Sequence, residues 1–102
     1  MATGTRKGSQ LFTSSGVLGV ASQAKTIYDI NIVASGATVP LAVIKVGGSG
    51  GTAYIQESGI ASGSRTFPYG EGFTLPANAS GVYVTVDGNT TSILVSYDEY
   101  SA

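Results

Sequence analysis

The chain has 102 residues, 42% of them hydrophobic and only 11% charged, with a formal net charge of −1 and neither cysteine nor histidine. That length suits one domain. The missing thiols exclude disulfides and thiolate metal sites, and the missing imidazoles remove the commonest acid–base group and metal ligand. The charged fraction lies well under the ~25% of an average soluble protein. A surface so poor in charge favours association, so the expectation is an obligate assembly that covers much of its surface with partners.

In chain order, residues 1–9 are small, polar and punctuated by glycine, with Arg6 and Lys7 as their charges. Such residues bury little surface, so they are expected to form a flexible N-terminal arm, able to order on a neighbouring subunit. Residues 10–102 are expected to form the folded domain. Gln10–Thr13 and Val17–Ala21, separated by Ser14-Ser15-Gly16, read as a hairpin at a sheet edge.

Lys25–Ser35 carries the clearest two-residue alternation. Tyr28, Ile30, Ile32 and Ala34 share one parity, with Ile27, Asp29, Asn31 and Val33 on the other. Successive strand side chains point to opposite faces, so this is a central strand with one apolar face and one mixed face. The mixed face, Ile27, Asp29, Asn31 and Val33, is less polar than a free solvent face. Together with Arg6 and Lys7 it is the candidate partner contact.

Val39–Val46 is apolar on both parities, and Pro40, which cannot donate to a ladder, belongs at its start or on an edge. Gly47–Gly51 reads as a loop; no Gly-Lys-Ser/Thr follows, so a phosphate loop is disfavoured. Thr52–Ser58, Ser64–Tyr69 and Phe73–Pro76 read as further strands, the last two divided by a turn at Gly70-Glu71-Gly72. Val82–Val86 and Thr91–Tyr100 flank Asp87-Gly88-Asn89, a hairpin signal. Ile93, Val95 and Tyr97 lie on the expected core face of the last strand. About eight short strands, no helical periodicity and turn signals every ~8–12 residues predict an all-β fold. The expected architecture is a single antiparallel β-sandwich, jelly-roll or immunoglobulin-like.

The acids offer little chemistry. A glycosidase needs two carboxylates about 5–10 Å apart, and Asp98 and Glu99, adjacent on a strand, point to opposite faces. Glu57 and Glu71 could meet only across strands. Asp87 and Asn89 offer two oxygen ligands at most to a calcium ion, beside a turn that explains them already. No base stands ready to activate the many serines and threonines. No catalytic, cofactor-binding or metal residues are therefore assigned, and the chain is not expected to be an enzyme. The six tyrosines are weak support for sugar stacking and suit packing better.

Charge is unevenly spread. Residues 1–51 hold Arg6, Lys7, Lys25 and Lys45 against Asp29, a balance of +3; residues 52–102 hold Arg65 against Glu57, Glu71, Asp87, Asp98 and Glu99, a balance of −4. Complementary potentials of this kind can orient subunits. With no basic stripe, nucleic acid is not an expected partner. With no apolar run near ~20 residues, neither is a membrane. No signal-peptide h-region opens the chain, so synthesis in the cytosol is expected.

Gln10–Val20 leads into Lys25–Ser35, and much later come Phe73-Thr-Leu-Pro-Ala-Asn-Ala-Ser-Gly-Val-Tyr-Val-Thr-Val86 and Ile93-Leu-Val-Ser-Tyr97. This wording resembles small all-β virion proteins of tailed bacteriophages, a group that includes capsid decoration (cement) proteins and neck or tail accessory proteins. The resemblance spans residues 10–97 and implies a structural, non-catalytic role in the virion. It further implies a homo-oligomer, typically a trimer, that binds the major capsid protein or other virion subunits. A carbohydrate-binding or adhesion module of a phage tail or fibre is the alternative.

Overall fold

A computed structural model of the chain describes residues 3–101, and the side chains of residues 8–100. It contains eight strands: β1 (Thr3–Phe12), β2 (Gly16–Leu18), β3 (Ala24–Ala34), β4 (Leu41–Val46), β5 (Thr52–Ser58), β6 (Ser64–Leu75), β7 (Val82–Val86) and β8 (Thr90–Ser101). They form two four-stranded antiparallel sheets, ordered β1-β8-β3-β6 and β2-β7-β4-β5. The pairs β1–β8, β2–β7, β3–β6 and β4–β5 are those of one long hairpin. Rolling that hairpin adds β8–β3 and β7–β4. This is the jelly roll, and it decides between the two sandwich types that the sequence allows.

Because the chain rolls, every connection but β4–β5 crosses from one sheet to the other. The expected hairpin at Ser14-Ser15-Gly16 is such a crossing: β1 and β2 lie in different sheets. Ser15 fixes the corner, since its Oγ accepts from Val86 N at 2.8 Å. Asp87-Gly88-Asn89 is likewise a corner between sheets rather than a hairpin. Its turn chemistry was legible, but turn residues do not encode which sheet the next strand joins. The expected arm also differs, since the backbone of Thr3–Ser9 pairs with β8, Thr3 opposite Ser101 and, past a bulge between Arg6 and Gly8, Ser9 opposite Ser96. A Gly/Ser/Thr strand can be held by main-chain hydrogen bonds to its neighbour, which composition does not reveal. The side chains of Arg6 and Lys7 lie outside the described residues.

β3 is central, as its alternation predicts, but its parity changes once. Along β8 the register steps from Ile27↔Tyr97 to Asp29↔Ser96, leaving Tyr28 as an extra residue. Along β6 it steps from Ile27↔Phe73 to Asp29↔Pro68, so residues 69–72 are pushed out of the ladder. The expected turn at Gly70-Glu71-Gly72 is thus a protrusion within one edge strand. Gly72 adopts φ +114°, and a Cβ there would land on Thr26 Cγ2. A bulge of this kind flips the side chains that follow it. Lys25 and Ile27 therefore point inward before it, and Ile30 and Ile32 after it. Ile27 is fully buried, which corrects its expected place on the contact face.

Between the sheets lie Phe12, Leu18, Ile27, Ile30, Ile32, Ala42, Ile44, Val46, Ile55, Leu75, Val82, Val84, Ile93, Val95 and Tyr97. Burying an Ile or Leu side chain contributes ~1.5–3 kcal/mol, so these residues hold the roll closed. Pro40 sits just before β4, where its missing N–H costs no ladder bond. Backbone hydrogen bonds knit the loops at each end. At one end run Ser35 N to Asn89 O, Ala34 N to Gly63 O, Ser62 N to Gly36 O and Gly59 N to Pro40 O, all 2.8–3.0 Å. At the other, Ser22 N donates to Asn78 O, and Gly47 N and Gly48 N to Gly81 O.

Candidate contact face

Among the described residues, most charges are bonded within the chain. Lys25 and Glu99 are buried on the inner face of the longer sheet, Nζ 3.2 Å from Oε2. Lys25 Nζ also donates to Val20 O at 2.8 Å and Gln23 O at 2.6 Å, while Val20 N donates to Glu99 Oε2 at 2.5 Å. Three acceptors around Nζ match the three protons of an ammonium group. The pair clamps the β2–β3 loop over the end of the core. Gly19, at φ +59°, must be glycine there, because a Cβ would land on Glu99 Oε2. Burial, and then the charge of Glu99, raise the pKa of the neighbouring Tyr97.

Three further acids are similarly engaged. Asp87 accepts from Leu41 N at 3.1 Å, Asn89 N at 3.1 Å and Thr90 Oγ1 at 2.6 Å. Its carboxylate is committed to the corner. Glu57 Oε2 accepts from Tyr69 OH at 2.9 Å, joining β5 to β6 across the sandwich, while Glu71 stands exposed on the β6 protrusion. Asp98 Oδ2 accepts from Tyr28 OH at 2.8 Å. Among the described residues, only Arg65 and Glu71 are both charged and exposed. The Arg65 guanidinium lies over the Phe67 ring, 4.8 Å from its centroid.

The outward face of the longer sheet follows from the register. One row reads Leu11, Leu94, Asn31, Thr66 and the next Ser9, Ser96, Asp29, Pro68, with Ser92, Val33 and Ser64 beyond. Asn31 Nδ2 donates to Thr66 Oγ1 at 2.9 Å. Asp29, Asn31, Val33, Leu94 and Ser96 are half-buried by their neighbours, and Leu11 is 59% exposed. Asp29, Asn31 and Val33 thus share one surface, as the alternation predicts. Sequence reasoning missed its other members, Leu11, Leu94, Ser96 and Ser9, which cross-strand register alone brings together. A face of hydroxyls and aliphatics costs less to desolvate than a charged one, because few charges lose their water.

At the far end of this face, Tyr28 and Asp98 lie beside Thr26 and Tyr100, whose hydroxyls are 3.2 Å apart. The hydrogen bond to Asp98, then burial, push the Tyr28 pKa up from 10.0 to about 12. Folding favours the neutral phenol, so this stabilisation is complete below pH 10.0 and is lost as pH rises through about 12. Wild-type protein is expected to lose stability across that window more steeply than Tyr28→Phe, as read by denaturant midpoints at stepped pH. Equal slopes would contradict the contact. Burial and the bond to Glu57 raise the pKa of Tyr69 as well.

No protein family matches this chain, and no curated protein does. Among solved structures it is similar to a chain of the structure of infectious bursal disease virus Gx strain, at 15% identity and a TM-score of 0.28. The match covers 98% of this chain and 28% of that one. The chain therefore spans little more than a quarter of the length of the viral chain it matches.

Proposed function

We propose that this chain is a non-enzymatic structural protein of a virion, a capsid decoration (cement) protein of a tailed phage that binds the assembled shell and stabilises it. The observation that carries this reading is the outward face of the β1-β8-β3-β6 sheet. It is broad and neutral, and its one described charge outside the tyrosine end is Asp29. A free-standing domain gains solubility from charges on such a face, whereas a face that packs against protein does better without them. The jelly roll also recurs in viral capsid domains. Cement acts by mass action: a protein that binds only the assembled shell stabilises it in proportion to occupancy.

The test is cosedimentation of the purified chain with particles of the virus that encodes it. Wild-type protein is expected to pellet with the shells. Paired Asp29→Arg and Asn31→Arg should weaken that binding more than tenfold while leaving the melting temperature nearly unchanged. Gln56→Arg, on the other sheet, should bind as wild type. Failure of wild-type protein to pellet would overturn the assignment, and binding indifferent to the paired arginines would overturn the face.

One observation favours the second reading, a glycan-binding module. Tyr54 is 44% exposed on β5, while Tyr69 is tied to Glu57. If glycan arrays report binding that Tyr54→Ala abolishes, that reading replaces the first.

A further inference from the structure

Of the six acids in this chain, Asp29 is the one for which the fold makes no provision. Glu99 is paired with Lys25 inside the sandwich. Asp87 holds a corner, Glu57 takes the Tyr69 hydroxyl and Asp98 that of Tyr28. Glu71 is exposed on the protrusion, where water solvates it. Asp29 is half-buried on the outward face of β3, an inner strand of its sheet, between Ser96 of β8 and Pro68 of β6. Its carboxylate makes no hydrogen bond or ion pair with any described residue. Each described cation is occupied elsewhere: Lys25 points inward to Glu99, Lys45 on the other sheet donates to Ser49 O at 3.0 Å, and Arg65 lies over Phe67. A half-buried carboxylate without a partner gives up part of its hydration for nothing in return.

The surroundings select the kind of cation that completes it. Asn31 stands two residues further along β3 on the same face. Its Nδ2 donates to Thr66 Oγ1 at 2.9 Å, and its Oδ1 accepts from no described residue. Positions two apart on one face are ~6.6 Å apart along a strand, so a carboxylate and an amide oxygen present acceptors side by side. A guanidinium forks two N–H groups onto a carboxylate and keeps others for a neighbouring oxygen, which the compact ammonium group of lysine does not match. Around the two acceptors lie Pro68, Val33 and Leu94 with the hydroxyl of Ser96. Against such neutral neighbours a guanidinium, more weakly hydrated than an ammonium group, is the cation more readily stripped of water.

We propose that the protein partner of this face seats an arginine on Asp29, its guanidinium bridging to Asn31. The pairing rests on the face being the shell contact, and it supplies specificity. A shell surface lacking the cation would leave the carboxylate buried and unpaired, which disfavours the wrong partner.

The test repeats the cosedimentation with wild-type protein, Asp29→Asn and Glu71→Gln, the last removing one negative charge away from the face. Asp29→Asn should bind the shells more weakly by roughly tenfold or more, because the arginine is then buried without its counter-charge. Its melting temperature should stay at or above that of wild type, and Glu71→Gln should bind as wild type. Shells with arginines blocked by phenylglyoxal should bind wild-type protein only as well as untreated shells bind Asp29→Asn, and should lower Asp29→Asn no further. Shells acetylated on lysine should bind as untreated ones do. Undiminished binding by Asp29→Asn overturns the pairing and leaves the shell contact standing, whereas wild-type protein that does not pellet removes both. A lowered melting temperature in Asp29→Asn would assign the carboxylate to the fold, and equal losses in the two variants would report net charge alone. Binding lost to lysine acetylation instead of arginine blockade would make the cation a lysine. Any of these three results overturns the proposal.

Discussion

Replacing Lys25 with methionine is expected to cost about 3–5 kcal/mol, the usual penalty for breaking a buried ion pair by removing one partner. The loss arises because Glu99 remains buried at 1% exposure without its cation, and because Val20 O and Gln23 O lose their donor. Against a total stability of ~5–15 kcal/mol for a small domain, that is about a fifth of the fold or more. Glu99→Gln should be nearly as harmful, leaving the ammonium group buried and removing the carboxylate that accepts from Val20 N. The double replacement Lys25→Met with Glu99→Leu should recover much of the loss, since apolar residues of similar volume often substitute for a buried pair at little cost. Urea denaturation of wild type, Lys25→Met, Glu99→Leu and the double replacement gives the coupling directly. Additive losses would mean that the two residues do not depend on each other.

The second large effect is expected at Ile27. Ile27→Ala should cost about 2–5 kcal/mol, because it empties a fully buried position in a core that relaxes only partly. Val33→Ala, on the same strand and of the same apparent parity, should cost under about 1 kcal/mol, because Val33 stands half-buried on the outward face. The contrast isolates the bulge at Tyr28. Without the bulge, Ile27 and Val33 would share a face and lose similar stability. Denaturant midpoints that move equally for the two variants would therefore refute the register described for β3.

That strand also shows how far the residues could be read unaided. Its central position, and the inward direction of Ile30 and Ile32, follow from β-branched residues alternating with polar ones. The direction of Ile27 does not, because a period of two holds only while the ladder is unbroken. The break depends on four residues of another strand, Tyr69–Gly72, that are remote in sequence. The candidate face divides in the same way. Asp29, Asn31 and Val33 were legible from one strand, whereas Leu11, Leu94, Ser9 and Ser96 joined them only through pairing.

Composition and alternation by themselves determined an all-β chain of about eight short strands, the core face of the last strand and a chain poor in charge. These are local properties, set by side-chain chemistry and by a backbone that turns its residues to opposite faces. The tertiary structure alone decided that the sandwich is a jelly roll, that residues 3–9 pair as sheet, that Lys25 and Glu99 neutralise each other inside, and that β1–β2 and β5–β6 form opposite sides. Each of these depends on contacts between residues far apart in sequence. Such contacts are selected by which hydrophobic faces can be buried together, and no local pattern records that choice.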